Sequence, residues 1–298
     1  MSRTPYLMAL LLVVGSAILA GCETNVDPFI EDDRFYTIFG YLDTATELQA
    51  VRVIPLRRVI GQNSSEIDAI VTTTELESGS VVEWTAELVD FPDGSVGHVF
   101  RGPFRPNPGS TYRFDILRSD GASASASTTI PVATSVSVAA PILAVASAFQ
   151  NVFWSDIPTD PFRVDVWYRF MGVRPSDPFV DAVIVYGEEV FGGPKNGGWE
   201  TLVRLSEDRE KVTEAIGVAG NAGLTLMGVG ARLTLPDDAW RAPGGVYDKE
   251  LLVQPGAFSN VENGFGFLGS VNQYTVEWGL SPEITKRIGY SVPSVVSD

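Results

Sequence analysis

The chain has 298 residues, 45% of them hydrophobic and 19% charged, a globular composition rather than a disordered one and enough length for one large domain or two of ordinary size. Acidic residues outnumber basic ones 37 to 21, which leaves −16 at neutral pH. That balance argues against nucleic acid as a partner, since a phosphate backbone needs a basic surface. One cysteine and one histidine are too few for a zinc site of Cys and His, and no disulfide can close within the chain.

Near the amino end, Arg3 precedes an apolar run from Leu7 to Ala20, broken only by Gly15 and Ser16. The run is short of the roughly 20 residues that span a bilayer. Its basic start, apolar middle and small-residue end read as a signal peptide over residues 1–21. Leu19-Ala20-Gly21-Cys22 resembles the lipobox of bacterial lipoproteins at all four positions. The resemblance implies a diacylglyceryl group on the Cys22 thiol and cleavage on its amino side. The membrane would then be a partner through that lipid, each buried CH₂ adding about 0.8 kcal/mol. Residues 23–33 hold Glu23, Asp27, Glu31, Asp32 and Asp33 with no basic residue, which reads as a solvated tether. The ligand spacing and turn glycine of a calcium loop are missing there. An acidic residue just after the cysteine also resembles the surface-export signals of Bacteroidota lipoproteins. The periplasmic and cell-surface sides both stay open.

Residues 34–135 read as short strands between turns. Phe35–Leu42, Val51–Leu56 and Asp68–Thr73 come first, then Val81–Asp90 as one strand. Thr111–Leu117 alternates strictly and Ala122–Ile130 returns after Ser119-Asp120-Gly121. About seven strands in a hundred residues, with no helical period, predict an immunoglobulin-like β-sandwich. Residues 136–298 read as a second β-rich domain with two short helices. Ala148–Ser155, Phe162–Phe170, Val180–Tyr186, Leu224–Leu235, Val246–Val253, Phe265–Leu268 and Asn272–Trp278 are its expected strands. Gly192–Gly198 reads as a flexible loop. One helix begins at an N-capping Ser206 and stops at Gly217; the other opens at Ser281-Pro282, with proline at its first position. Charge is negative along both halves, and only Lys195, Lys211, Lys249 and Lys286 are lysines. Salt adaptation and an arginine-favouring codon bias account for this equally well.

Several motifs invite a chemical reading. Gly264-Phe265-Gly266-Phe267-Leu268-Gly269 spells the dinucleotide fingerprint, but a strand follows where a helix should open. The glycines are better suited to close backbone packing. Gly192–Gly198 lacks the ending of a phosphate loop. His98 would have to serve any Ser-His-Asp triad, no nucleophile elbow is present, and the residue is expected on a surface strand. Glu188-Glu189 and Asp237-Asp238 are adjacent pairs that fit turns better than a pair of glycosidase carboxylates. No cofactor, metal site or catalytic residue is expected. Aromatic rings remain as a lead: Trp167 and Trp278 fit core packing, while Trp199 and Trp240, flanked by glycine or polar residues, are the candidate surface groups for ligand binding.

Four stretches carry a wider resemblance: Leu19–Cys22, Gly40-Tyr41-Leu42-Asp43, Pro108–Tyr112 leading to Asp120-Gly121, and Phe258–Gly269. Together they resemble the uncharacterised outer-membrane lipoproteins of Bacteroidota that occur beside TonB-dependent transporters. The resemblance implies an outer-membrane, lipid-anchored protein accessory to transport or surface binding, with a binding or scaffold role, and it carries over no catalytic residues. An outer-membrane transporter or a polysaccharide would be its partner. A carboxylate-dependent hydrolase of envelope or extracellular polysaccharide and a structural adhesin are the alternatives.

Overall fold

The computed structural model describes residues 34–56, 67–92, 96–132, 135–145, 147–157, 159–174, 177–186, 192–217, 223–238 and 259–293. Strand accounts for 59% and helix for 7%. Residues from Arg34 onward gather into one compact unit.

Eight strands build a first sandwich: β1 (Tyr36–Asp43), β2 (Gln49–Pro55), β3 (Ile70–Glu75), β4 (Val81–Glu83), β5 (Thr85–Asp90), β6 (Val96–Gly102), β7 (Thr111–Leu117) and β8 (Ser123–Thr129). One sheet runs β1-β2-β6-β5 and the other β8-β7-β3-β4. Lettered in chain order, these are the ABED and GFC sheets of the immunoglobulin fold, with one extra strand after C. Strict alternation sets the faces: Tyr112, Phe114 and Ile116 of β7 are buried while Arg113 and Leu117 are exposed. At the start of β7 the Asn107 backbone N–H donates to the Tyr112 hydroxyl at 2.9 Å, the tyrosine corner of this fold.

Val81–Asp90 is two strands, not the single one the sequence predicts. The chain changes sheets at Trp84, with β4 pairing β3 and β5 pairing β6. The Trp84 ring enters the core, donates Nε1–H to Thr73 Oγ1 at 2.8 Å and meets Phe114 edge-on at 5.1 Å. Gly102 makes room for it: a β-carbon there would stand 2.5 Å from the indole.

The second half adds β9 (Val136–Val138), β10 (Ile142–Leu143), β11 (Ala148–Ser155), β12 (Arg163–Arg174), β13 (Asp177–Tyr186), β14 (Gly193–Lys195), β15 (Gly198–Val203), β16 (Leu226–Pro236), β17 (Val261–Glu262) and β18 (Gly264–Trp278). Its helices are α1 (Asp208–Ile216) and α2 (Pro282–Arg287). The expected loop at Gly192–Gly198 is a hairpin: β14 and β15 are joined by Asn196-Gly197, both at positive φ (50° and 80°). That is the mirror-image turn that matches strand twist. α2 opens at Ser281-Pro282 as expected, and Ser281 caps it, accepting from the Ile284 N–H at 3.3 Å. α1 is not capped that way. The Ser206 hydroxyl accepts from the Ala148 N–H at 2.9 Å instead, and Glu207 occupies the cap position without a side-chain bond to the backbone of α1. Gly217 ends α1 at φ 69°, in the left-handed region.

The last strands of the sequence reading, 265–268 and 272–278, are one 15-residue strand, β18. Its first half lies parallel to β1, from Tyr36↔Gly264 to Asp43↔Val271. Its second half is antiparallel to β16. The result is a single eight-stranded sheet in the order β13-β12-β16-β18-β1-β2-β6-β5. Just upstream, β17 pairs with β8 on the opposite sheet, so residues 261–271 extend both sheets of the first sandwich. There are two hydrophobic cores, but residues beyond 135 contribute to both, and the long sheet runs through both. One core holds Phe100, Phe114, Ile116 and, from β18, Leu268. The other holds Trp154, Tyr168, Phe170, Leu205 and Leu233.

The glycine motif serves this junction. Gly266 has φ 95°, and a β-carbon there would stand 2.0 Å from the Ile38 carbonyl oxygen. No helix opens at the motif; β18 runs straight on to Trp278. Phe267 is buried and Phe265 half-buried, with the Arg34 guanidinium 4.0 Å above the Phe265 ring.

Candidate functional site

On the long sheet, period-two alternation gives the two cores one face and leaves the other outward. The outward rows run across four adjacent strands. Arg163 of β12 stands opposite Thr234 of β16, which stands opposite Gln273 of β18. Asp165 stands opposite Arg232 in the next row. With Phe39, Tyr41 and Asp43 of β1, and Phe162 just before β12, these side chains line an open groove of about 430 Å³. It lies where the long sheet passes from one core to the other.

Its floor is charged but balanced. The Asp165 side chain is only 2% exposed, and both its oxygens are occupied. Oδ1 accepts from Arg163 Nε at 2.6 Å; Oδ2 accepts from Arg232 Nη2 at 2.7 Å and Nε at 3.1 Å. A buried carboxylate has to be paired this way, since an unpaired one would be expelled or protonated. The two guanidiniums are thereby fixed in place while about 40% of each stays exposed. Beside them the Gln273 amide donates to both Asp43 oxygens at 3.1 and 3.3 Å. Tyr41 and Phe162 keep 46% and 44% of their surface in solvent, an unusual allowance for two rings on one sheet face.

Farther along the same face, Arg169 pairs with Asp181 at 2.9 Å on one neighbouring strand and Glu277 at 3.1 Å two strands away on the other side. Gly228 lies opposite Arg169 on the strand between, so nothing stands in the path of the guanidinium.

Of the residues expected from sequence, Cys22 and Trp240 lie outside the described residues, as do Glu188-Glu189 and Val246–Val253. Trp199 is not a surface platform. It is 7% exposed and packs in the second core. β15 begins at Gly198, and its alternation turns Trp199, Thr201 and Val203 inward. His98 is not on the surface either: it is 5% exposed, and it shares the inward face of β6 with Phe100. Asp237 is buried and accepts from the Thr128 and Ser270 hydroxyls, a tie between β8 and the long sheet. Trp278 is partly buried against the second core, as expected.

A second polar cluster is fully enclosed. The Tyr168 and Tyr186 hydroxyls donate to Asp208 Oδ2 at 2.7 and 2.6 Å. Burial pushes the Asp208 carboxyl and both phenols upward. The cluster pins the start of α1 onto β12 and β13 and has no opening for a ligand. Among the described residues no group of His, Cys, Asp and Glu is placed to hold a metal ion, and no helix is long and apolar enough to cross a membrane.

No local pattern reveals the groove, because its residues come from four strands far apart in the chain. The alternation of Arg163, Asp165 and Trp167 on β12 was the one available signal: charged residues on a face that also carries a tryptophan. No protein-family model matches the chain, and no curated protein is detectably similar to it.

Proposed function

We propose that this chain is a non-enzymatic, lipid-anchored binding protein of the outer membrane, accessory to a transporter, with the outward groove at Tyr41, Phe162, Arg163 and Arg232 as its binding site. The observation that carries the reading is the state of the groove's polar groups. Asp165 has both oxygens committed to arginines and Asp43 is held by Gln273. Such carboxylates orient donors; they do not leave an oxygen open to give or take a proton. His98, buried in the other half of the sheet, is out of reach of solvent. These features weigh against the hydrolase alternative.

Anchoring and binding are tested separately. Cys22→Ser leaves an unlipidated precursor that no longer enters the detergent phase with mature protein; normal processing and partition would refute the anchor. For binding, benzoylphenylalanine replaces Tyr41 in cells of the source organism. Light-dependent adducts at position 41, absent when the label sits at Leu88 on the exposed edge strand β5, support the groove. No adduct at position 41 refutes it.

A further inference from the structure

Some polar groups on the groove floor are not spent on the protein itself. Asp165 holds Arg163 through Nε alone, which leaves the Nη1 and Nη2 edge of that guanidinium without a partner among the described residues. It holds Arg232 through Nε and Nη2, which leaves Nη1. Directly opposite Arg163 on the neighbouring strand stands Thr234. It lines the groove, it is only 7% exposed, and its hydroxyl bonds to none of the described residues. An unmatched hydroxyl at such depth is costly unless something else meets it. The guanidinium groups can only donate, and the hydroxyl can donate as well. Asp165 fixes both arginines before any ligand arrives, so little ordering cost is left for binding. Fixed donors gathered at one end of a groove make a site for an acceptor.

Charge and shape narrow the class. Two guanidiniums against one carboxylate leave the Arg163–Asp165–Arg232 group with a positive charge in excess. The chain's −16 opposes any anion, but at physiological salt charges beyond about 8 Å are largely screened, so the groups in contact decide. The open edge of Arg163 selects among anions, because its two parallel N–H groups match the two oxygens of a carboxylate. The far end of the groove limits the number of charges. Asp43 stands across β16 and β18 from Arg163, three strand spacings or roughly 14 Å away. It is held there by the Gln273 amide, not by a cation. A second carboxylate reaching that end would meet a like charge.

We infer that the arginine end of the groove binds a monocarboxylate, its two oxygens on the Arg163 fork, with the Arg232 Nη1–H and the Thr234 hydroxyl beside them. The assignment rests on the reading of the groove as the binding site, and deepens it. The test is modification of the full-length, detergent-solubilised protein by phenylglyoxal, an arginine reagent, read residue by residue by mass spectrometry. Benzoate or butyrate should slow the labelling of Arg163. Arg101 on β6, whose side chain is 40% exposed, should label at the same rate with or without them. Benzamide, the uncharged isostere of benzoate, should protect nothing, and succinate and phosphate should protect less than the monocarboxylates. Thr234→Val keeps the side-chain shape and leaves the Asp165 pairs in place. It should raise the benzoate concentration for half-protection about fivefold, the worth of one hydrogen bond. Arg163→Lys keeps the charge but loses the fork, and calorimetry should find its benzoate binding abolished. Protection by neither monocarboxylate overturns the assignment. So does equal protection by benzamide, succinate or phosphate, equal protection of Arg101, or wild-type benzoate binding in both variants. The position-41 adducts keep the two readings apart: adducts alongside an unprotected Arg163 leave the groove a binding site and remove the carboxylate, whereas no adduct removes the groove reading on which the carboxylate rests.

Discussion

Trp167 on β12 lies flat over Gly230 of the neighbouring strand, so closely that a β-carbon at Gly230 would stand 2.2 Å from the indole ring. The two are paired across the ladder, and the ring faces outward, away from both cores. It is nevertheless only 9% exposed. The glycine supplies the hollow that lets a tryptophan lie down on an open sheet.

Gly230→Ala should therefore lift the ring off the sheet. Overpacking of this kind costs about 1–3 kcal/mol. The expected result is a lower denaturant midpoint with an unchanged m-value, together with a red shift in tryptophan emission. Wild-type stability and emission would mean that the ring has room to move aside.

Gly266→Val meets backbone rather than side chain. The new β-carbon would stand 2.0 Å from the Ile38 carbonyl oxygen, at a φ of 95°. Positive φ alone costs a non-glycine residue about 1–3 kcal/mol, so the total should exceed about 3 kcal/mol, the top of ordinary overpacking. Thermal melts should show a large loss, and adding NAD or ATP should shift neither variant nor wild type. Nucleotide-dependent stabilisation of the wild type would reopen the fingerprint reading.

Glu75 gives the molecule a defined acid response. Hydrogen bonds from Ser78, then Asn107 and Ser110, and lastly Tyr112 hold its carboxyl down to about 2. A depressed folded value adds stability above the ordinary value of 4.5, and that stability is lost as pH falls toward 2. Glu75→Gln should thus melt below wild type at neutral pH, with the gap closing as pH drops through that window. Asp208 works in the opposite sense: burial raises its folded value, so its contribution improves as the solution is acidified. A gap between Glu75→Gln and wild type that stays constant from pH 6 to pH 2 would show that the Glu75 charge does not matter.

Net charge supplies the last test. The exposed pairs, Arg101–Glu87, Arg169–Asp181 and Lys195–Glu200, contribute little each, while −16 charges repel one another. Screening should raise the melting temperature between low and molar NaCl. A flat or falling curve would favour codon bias as the source of the arginine-rich, lysine-poor composition.

The first sandwich was legible in the sequence because its strands alternate and its turns use Asp-Gly and Pro-Gly. Local chemistry also gave α2, with Ser281 and Pro282 side by side. What failed was anything decided by distant partners. Ser206 sits where a cap belongs, yet the Ala148 N–H on β11 takes its hydroxyl. Trp199 looked exposed because Gly198 and Glu200 flank it; the face it turns to was set by pairing with β11, where Trp199 stands opposite Trp154. Nothing within residues 81–90 announces that the strand changes sheets at Trp84. The groove required knowing that β18 lies between β16 and β1, which no local pattern encodes.

That placement of β18 bears on how the molecule is made. A ribosome delivers β1 to β8 first, and the strand that lies along β1 and the short one that lies along β8 only after the whole second half has been made up to β16. Until residues 261–271 emerge, both edges of the first sandwich stay open, and Leu268 is missing from its core. Pairing over so long a stretch of chain is slow to form. A nascent chain of this design cannot complete the first sandwich from its own strands; closure waits for a segment more than 130 residues downstream of β8.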